Sequence, residues 1–497
     1  MMRKFQMRGM YHEHFVKSFR YSAKNIWLLI FPVLRGIKSF RIDFGTFYTW
    51  LSGAWFDLLI LMAVIGFGIY RWVTTWVRFG DEEVTLTSGL FVKSETVIPF
   101  KSVSVILIES PFYLRPFRTD RIKINTCAGA FKSSDMSLLM RSSDFNIIRN
   151  ELENLGDNAI KVIEIRPKSL NVLFFSLVFS SSMYGAIYIV LFFFQLGSVS
   201  RDLIEHEFRD TLSQLTNEVS SIIAFNIPRK AIYLSVLIGV SWALSFIVNI
   251  LRYAGFKLEK HSRYFTVSMG AVTLRNYYIL SDKINYVDMR QTLLMKLFHR
   301  SALNINCAGY GNIKSELPVL VPVINSKTVH DALELLNFRH GKVKRTAKAN
   351  RAAVMTFLGL PLTFLLGIPL LMVLLFHWTP KFADLILPFA FFAEIPAILM
   401  TIIKINALLE TNVTIEDEFI YLHYTRFFTF HTVVVDRKKL VKLQIIQNPV
   451  QKKLGRCRID FYFSSGVPKK NKLYGMNIKD AKRIENLLSK DIMYYYI

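Results

Sequence analysis

Hydropathy along the chain falls into long apolar runs separated by stretches in which apolar and polar residues alternate. Trp55–Val77, Leu170–Leu196, Ala231–Leu251 and Val354–Phe376 each approach the roughly 20 helical residues that a bilayer core requires. A fifth run, Phe382–Ile405, stays long enough although it carries Pro388, Glu394 and Pro396. The weakest is Ser22–Ile37, whose uninterrupted apolar part is only Ile26–Leu34. Lys24, Arg35 and Lys38 flank that part closely, which taken alone suits a helix lying in the membrane interface. The internal repeat favours reading it as a sixth span.

Between the runs the period changes to two. Val84/Leu86, Val272/Leu274 and Ile459/Phe461/Phe463 alternate as strands with one buried face do, and turn residues such as Ser88-Gly89 separate them. Compared with itself, the chain repeats. A shift of 181 pairs Gly89 with Gly270, Ile98 with Ile279, Arg115 with Lys296, Phe117 with Phe298, and Ile124-Asn125 with Ile305-Asn306. No gap is needed. Matching Cys127 to Cys307 instead would slip a strand by one residue and turn its apolar face outward. A further shift of 156 carries Lys283–Thr292 onto Lys439–Asn448 and Lys296 onto Lys452, with Arg426 where the other copies have their hairpin glycine. Each copy closes in an amphipathic stretch: Phe145–Leu155, Val329–Leu336 and Ile478–Leu488. Several short strands and one helix in about 80 residues suffice to bury one small core.

The predicted fold is therefore a membrane α+β protein, with six transmembrane helices arranged as three hairpins, each followed by a β-barrel with a C-terminal helix. The boundaries read 12–77 for the first hairpin (second helix 55–77), 78–157 for the first β domain, and 168–252 for the second hairpin with an outer loop at 198–228. The second β domain follows at 253–338, the third hairpin at 352–405 and the third β domain at 406–491.

Charge sets the orientation. The 62 Lys+Arg against 37 Asp+Glu give a formal +25, an excess suited to nucleic acid or to an anionic bilayer face. No nucleic-acid motif is present, and basic residues retained beside membrane segments explain the charge without one. Arg339, Lys342, Lys344, Arg345, Lys348 and Arg351 form a run without an acid, whereas Ser198–Asn226 carries Asp202, Glu205, Glu207, Asp210 and Glu218 against Arg201 and Arg209. The first is expected inside and the second outside, so both termini and all three β domains are predicted to be cytoplasmic. Cys127, Cys307 and Cys457 lie far apart, supporting neither a disulfide framework nor a zinc site. No short apolar segment with a small-residue cleavage site follows the basic N-terminus.

Enzymatic signatures are missing: there is no G-x-S-x-G, H-E-x-x-H, P-loop or Gly-rich dinucleotide turn. No catalytic residue, cofactor or metal is expected, and His12-x-His14 reads as two polar residues on an arm rather than a metal site. Glu394 is a candidate intramembrane polar site, set against a neutral carboxyl hydrogen-bonded to a neighbouring helix. The basic run is a candidate anionic-lipid contact, set against the simple retention of positive charge inside. Arg115, Lys296 and Lys452, equivalent in the three copies, are candidate surface contacts to headgroups or another chain, or else solvated charges. In the outer loop, Leu203, Phe208, Leu212, Leu215 and Val219 form a mostly helical apolar face opposite acids. That face suits the outer leaflet, an arriving cationic peptide, or packing on the tops of the spans.

The second copy reads Lys283-Ile284-Asn285-Tyr286-Val287, Arg290-Gln291, Lys296-Leu297-Phe298 and Ile305-Asn306-Cys307-Ala308-Gly309. The first keeps Ile98-Pro99 and Ile124-Asn125-Thr126, with Ser102 where a basic residue is usual; the third keeps Lys439, Gln447-Asn448-Pro449 and Leu454-Gly455-Arg456. In these motifs, from His12 onward, the chain resembles the YdbT family of bacterial multipass membrane proteins with pleckstrin-homology-like (PH-like) domains. The resemblance implies a bent antiparallel barrel capped by a helix, three times over, and no enzymatic activity. Some members of that family are linked to immunity against bacteriocins. The expected function is a membrane-embedded scaffold or binding protein that protects the bilayer against cationic or bacteriocin-type peptides. Its expected partners are anionic lipid, another PH-like membrane protein or an antimicrobial peptide. The alternative is a transporter or channel component using Glu394 and the Pro/Gly-interrupted spans.

Overall fold

The structure is a computed structural model that describes residues 10–24, 55–80, 82–89, 92–127, 134–142, 163–178, 240, 243–310, 319–325, 345–379, 383–416, 418–464 and 470–494. In the first unit, β1 (Met10–His12) precedes two helices, α1 (Val16–Lys24) and α2 (Trp55–Val73). The chain then enters β2 (Trp76–Phe79), β3 (Glu83–Ser88) and β4 (Ser94–Pro99), and the four strands form an antiparallel sheet in the order β1-β2-β3-β4. A 3-10 turn at Phe100–Ser102 leads into β5 (Val103–Pro111), β6 (Thr119–Thr126) and β7 (Met136–Arg141).

The second unit repeats the plan. β8 (Ile163–Ile165) and α3 (Ser169–Val178) come first, and α4 (Ala243–Tyr253) leads into β9 (Lys257–Lys260), β10 (Tyr264–Met269) and β11 (Thr273–Leu280). After a 3-10 turn at Ser281–Lys283 come β12 (Ile284–Thr292), α5 (Leu293–Leu297), β13 (Arg300–Cys307) and β14 (Val319–Asn325). The third has β15 (Ala347–Lys348), α6 (Val354–Trp378), α7 (Ala383–Glu410), β16 (Asn412–Ile415), β17 (Phe419–Arg426) and β18 (Thr429–Asp436). It ends in β19 (Leu440–Ile446), α8 (Pro449–Lys453), β20 (Arg456–Phe463), β21 (Lys470–Asn477) and α9 (Ile478–Tyr494).

Two details depart from the sequence boundaries. Each β domain takes one strand (β1, β8, β15) from ahead of its helical pair. Strands of two or three residues carry no readable period. The second helix of the first hairpin ends at Val73 rather than Val77, because Trp76 and Val77 already belong to β2. Thr75 Oγ1 donates back to the Arg71 carbonyl at 2.7 Å and marks the exit. Thr411 repeats the device after α7, donating to Ala407 O at 2.7 Å.

Among the described residues, one helical segment, Arg351–Trp378 with mean hydropathy 2.4, is long and apolar enough to cross a bilayer by length and composition. α7 packs along it. The expectation of six spans reaches beyond the described residues. Where α1 crosses α2, glycine is required: a Cβ on Gly68 would lie 2.0 Å from Ser22 Oγ and 3.0 Å from the Ser18 carbonyl. Small residues permit such backbone approach between helices.

The domains are not beads on a string. β5 of the first pairs with β11 of the second, and β12 of the second pairs with β18 of the third, making two seven-stranded sheets that each span two domains. Alternate residues of a joining strand therefore feed different cores. Ile106 and Ile108 face the core of the first domain, while Val105 and Leu107 belong to that of the second. Val434 of β18 likewise reaches the second core, whereas its neighbours Val433 and Val435 stay in the third. In each copy one bulge falls at the same place, at Ser104, Asn285 and Val441. The register thus follows the 181 and 156 shifts, and the cysteine pairing stands rejected.

Burial pushes the Cys307 thiol up to about 12 and Cys457 up to about 11, while Cys127 is exposed. Thiolate is the reactive form. Iodoacetamide at pH 8 is therefore expected to leave a single adduct, at Cys127, with further adducts only after denaturation; intact-mass spectrometry reads the count.

Candidate functional site: a helix-proximal face with a basic cleft

The turns after β5 and β12 and the β10–β11 and β17–β18 hairpins gather beside helix ends. Gly270 N and Ala271 N donate to the carbonyls of Ala254 and Leu251 at the end of α4, both at 2.8 Å. Against this hairpin lies the turn after β5: Phe112 N donates to Val272 O at 3.1 Å, and the Arg115 guanidinium reaches Ala271 O at 2.9 Å and Val272 O at 3.2 Å. At the second junction Phe298 meets Phe174 of α3 edge-on, with ring centroids 5.6 Å apart. Lys296 there pairs with Glu410 at the end of α7 and lies 4.3 Å from the Phe430 ring centre.

The side chains crowning this face are large, apolar and uncovered. Phe117 is 54% exposed, Leu297 70%, Phe298 58% and Phe427 73%. Single exposed apolar residues need no explanation, but several large ones on turns beside helix ends do. Val450 and Leu454 continue the set in the third domain.

Among these tips opens a cleft of about 690 Å³, lined by His14, Ser110, Arg115, Phe117, Arg118, Asp120, Arg141, Ser142 and Leu274. Three guanidiniums face one carboxylate, and Asp120 is already engaged by the Ser110 hydroxyl. Arg118 sits in left-handed backbone (φ 47°), and its carbonyl accepts from Ser142 N at 2.9 Å, which brings it beside Arg141. Neither Arg118 nor Arg141 has an ion-pair partner among the described residues. Burial, and then the Arg141 charge, hold the His14 imidazole below its ordinary pKa. Planar guanidiniums in a fork are suited to phosphate oxygens.

The structure separates the residues picked from the sequence. Arg115 and Lys296 are clamps between domains, whereas Lys452, their third equivalent, is exposed. In the basic run, Arg345 and Arg351 are exposed, and Lys348 lies in β15 opposite Asn412. Arg339, Lys342 and Lys344 lie outside the described residues, as do Leu203, Phe208, Leu212, Leu215 and Val219. Glu394 is half-buried in α7, with its Oε2 enclosed and lacking a hydrogen-bond partner among the described residues. His12 packs against the Trp76 ring at 3.4 Å, apart from the cleft that His14 lines.

Sequence reasoning missed Arg118 and Arg141. One signal was present: Arg118, His299 and Gly455 fall at equivalent positions, and all three have positive φ. The glycine of the third copy marks a tight left-handed turn that presents the first copy's arginine.

A sequence model of the bacterial PH domain matches residues 28–154, 193–337 and 357–492. The chain belongs to the bacterial PH domain family. The transmembrane protein YdbT of Bacillus subtilis (strain 168) is 20% identical over 339 residues, covering 64% of each chain. The chain thus spans a little under two thirds of that relative's length. No solved structure matches. Three bacterial PH domains in a relative of a transmembrane protein make this a membrane-associated protein built mainly of PH-like β domains with helices.

Proposed function

We propose that the protein is a non-enzymatic scaffold of the bacterial cell membrane, multipass, with both termini and all three PH-like domains in the cytoplasm. Its helix-proximal face seats on the inner leaflet and binds anionic lipid in the first domain's arginine cleft. The observation that carries this reading is an arginine-lined cleft that shares uncovered Phe117 and Leu274 with the turns bonded to the end of α4. Apolar tips inserted at the acyl boundary and cationic groups at headgroup height are how proteins lie on anionic bilayers.

A nitroxide attached at Phe298→Cys or Phe427→Cys in a Cys127→Ser background tests the seating in proteoliposomes. Oxygen is expected to relax the label more than an aqueous nickel chelate does. The reverse order at both sites sinks the proposal. For the cleft, Arg118→Ala/Arg141→Ala is expected to weaken retention of phosphatidylglycerol through detergent purification by about tenfold, on the scale of one or two charge-assisted hydrogen bonds.

By engaging lipid or hydrophobic peptides, such a scaffold would protect the bilayer against cationic or bacteriocin-type peptides. The acidic, amphipathic outer loop read from the sequence supports that role. A deletion strain with unchanged sensitivity to cationic membrane-active peptides would count against it. A transporter or channel component is the second reading, favoured by the Glu394 Oε2, which lacks a hydrogen-bond partner among the described residues, and by Pro361 and Pro369 within α6. Unimpaired flux by Glu394→Gln in proteoliposomes would weaken it.

A further inference from the structure

The two joints between domains obey one rule. Each pairs the first strand of a three-stranded half with the last strand of the next domain's four-stranded half. Their registers are the same: Ile279 faces Val105 in one, and Val435 faces Tyr286 in the other. Those partners are related by the 156 and 181 shifts. After two joints, the last strand of the first domain (β4) and the first strand of the third (β19) are left over. Among the described residues both are sheet edges, since the remaining sheets run β1-β2-β3-β4 and β19-β20-β21.

Exposure agrees. The joined strands β5 and β12 are mostly buried, whereas β4 is exposed except at Ile98, and Val441 and Lys442 of β19 are exposed. The clamp is left over too: Arg115 and Lys296 each grip the next domain, while Lys452 has no ion-pair partner among the described residues. The β4 edge has a slight acidic excess, exposed Glu82, Glu83 and Glu95 against exposed Lys93 and Lys101, whereas exposed Lys442, Lys452 and Lys453 flank the β19 edge. The two existing joints also set polar partners across the seam, Glu109 beside Arg275 and Asp288 beside His431, there with the acid on β5 and β12.

We propose that β19 of one copy of this chain adds to β4 of a second copy. The repeated register puts Val97 opposite Leu443, Thr96 opposite Gln444 and Ile98 opposite Lys442. The edges are donor and acceptor of one joint, one closing a four-stranded half and the other opening a three-stranded half. Strand addition supplies backbone hydrogen bonds to both edges. Lys442 keeps the free edge from pairing indiscriminately, as charged edge residues do, and its ammonium lies 5.4 Å from the Tyr462 ring centre. The contact is head-to-tail rather than two-fold, so it extends into rows or closes into rings.

The test uses full-length protein with Cys127→Ser, as two differently tagged copies in one membrane. Thr96→Cys in one copy with Gln444→Cys in the other, and Val97→Cys with Leu443→Cys, are oxidised mildly. Opposed positions alternate between hydrogen-bonded and closer, non-hydrogen-bonded geometry, so two adjacent pairs cover both. A disulfide between tags is expected for at least one pair, and none for Ser94→Cys with Lys442→Cys, four residues out of register. Lys452→Glu is expected to reduce the yield about tenfold, on the scale of one charged hydrogen bond. No disulfide at either in-register pair overturns the proposal. So does cross-linking of both edges to a different membrane protein carrying a PH-like domain, which would reassign the occupant. Loss of lipid retention in the arginine variants leaves this result untouched.

Discussion

Replacing Asp288 with alanine is expected to destabilise the protein by about 3–5 kcal/mol, the usual penalty for removing one partner of a buried ion pair. Asp288 is 1% exposed on β12, where the second and third domains share a sheet. Its carboxylate meets His431 Nδ1 of the third domain at 3.0 Å and accepts from Arg290 Nε at 2.8 Å. Alanine leaves the Arg290 charge without its acid in a site walled by Tyr286 and Tyr424, whose phenols burial holds well above their ordinary range. Asp288→Asn keeps the shape and a hydrogen-bond acceptor, so its loss is expected to be smaller. Guanidinium titration of the detergent-solubilised protein, followed by tryptophan fluorescence, orders the three. An alanine variant within about 1 kcal/mol of the parent, the scale of a surface substitution, would show that the joint bears no load.

Gly309→Val is expected to open the other joint. Gly309 has φ 86°, and a Cβ there would lie 2.2 Å from the Asn125 Cβ of the first domain. The backbone strain and the collision each cost on the order of 1–3 kcal/mol. Two bonds cross at this point: Asn125 Nδ2 donates to Gly309 O at 3.2 Å, and Ser104 Oγ donates to Ala308 O at 2.7 Å. Forcing them apart exposes Val105 and Leu107, which lie in the second domain's core. Limited proteolysis should then release the first domain at protease levels the parent resists. Gly309→Ala combined with Asn125→Gly clears the collision and should recover part of the resistance. Coupling between the two sites is the mark of direct contact.

How much of this could be read beforehand depended on whether a feature has a period. The β domains were legible because buried alternation such as Ile459/Phe461/Phe463 recurs at Leu303/Ile305/Cys307 and Ile122/Ile124, although Val272 and Leu274, read the same way, are exposed. The 3-10 turns at Phe100–Ser102, Ser281–Lys283 and Arg437–Lys439 fall at the same repeat positions. The joints were not legible. Val105 and Ile106 alternate as any strand does, and nothing in their order says that the two faces serve different domains. Arg115 and Lys296 stood out as equivalent, yet their role needed the neighbouring hairpin's carbonyls to be placed. The arginine cleft draws on β1's flank, the turn before β6 and the end of β7, segments that only pairing brings together.

The strands that precede the helical pairs have a consequence for biogenesis. β1 pairs with β2, Tyr11 facing Val77, so the partners leave the ribosome with both helices of the first pair between them. The sheet cannot be completed until the chain between those strands has been made and folded back. Each unit's sheet thus closes only after its own helices, which ties the strand ahead of them to the strand behind.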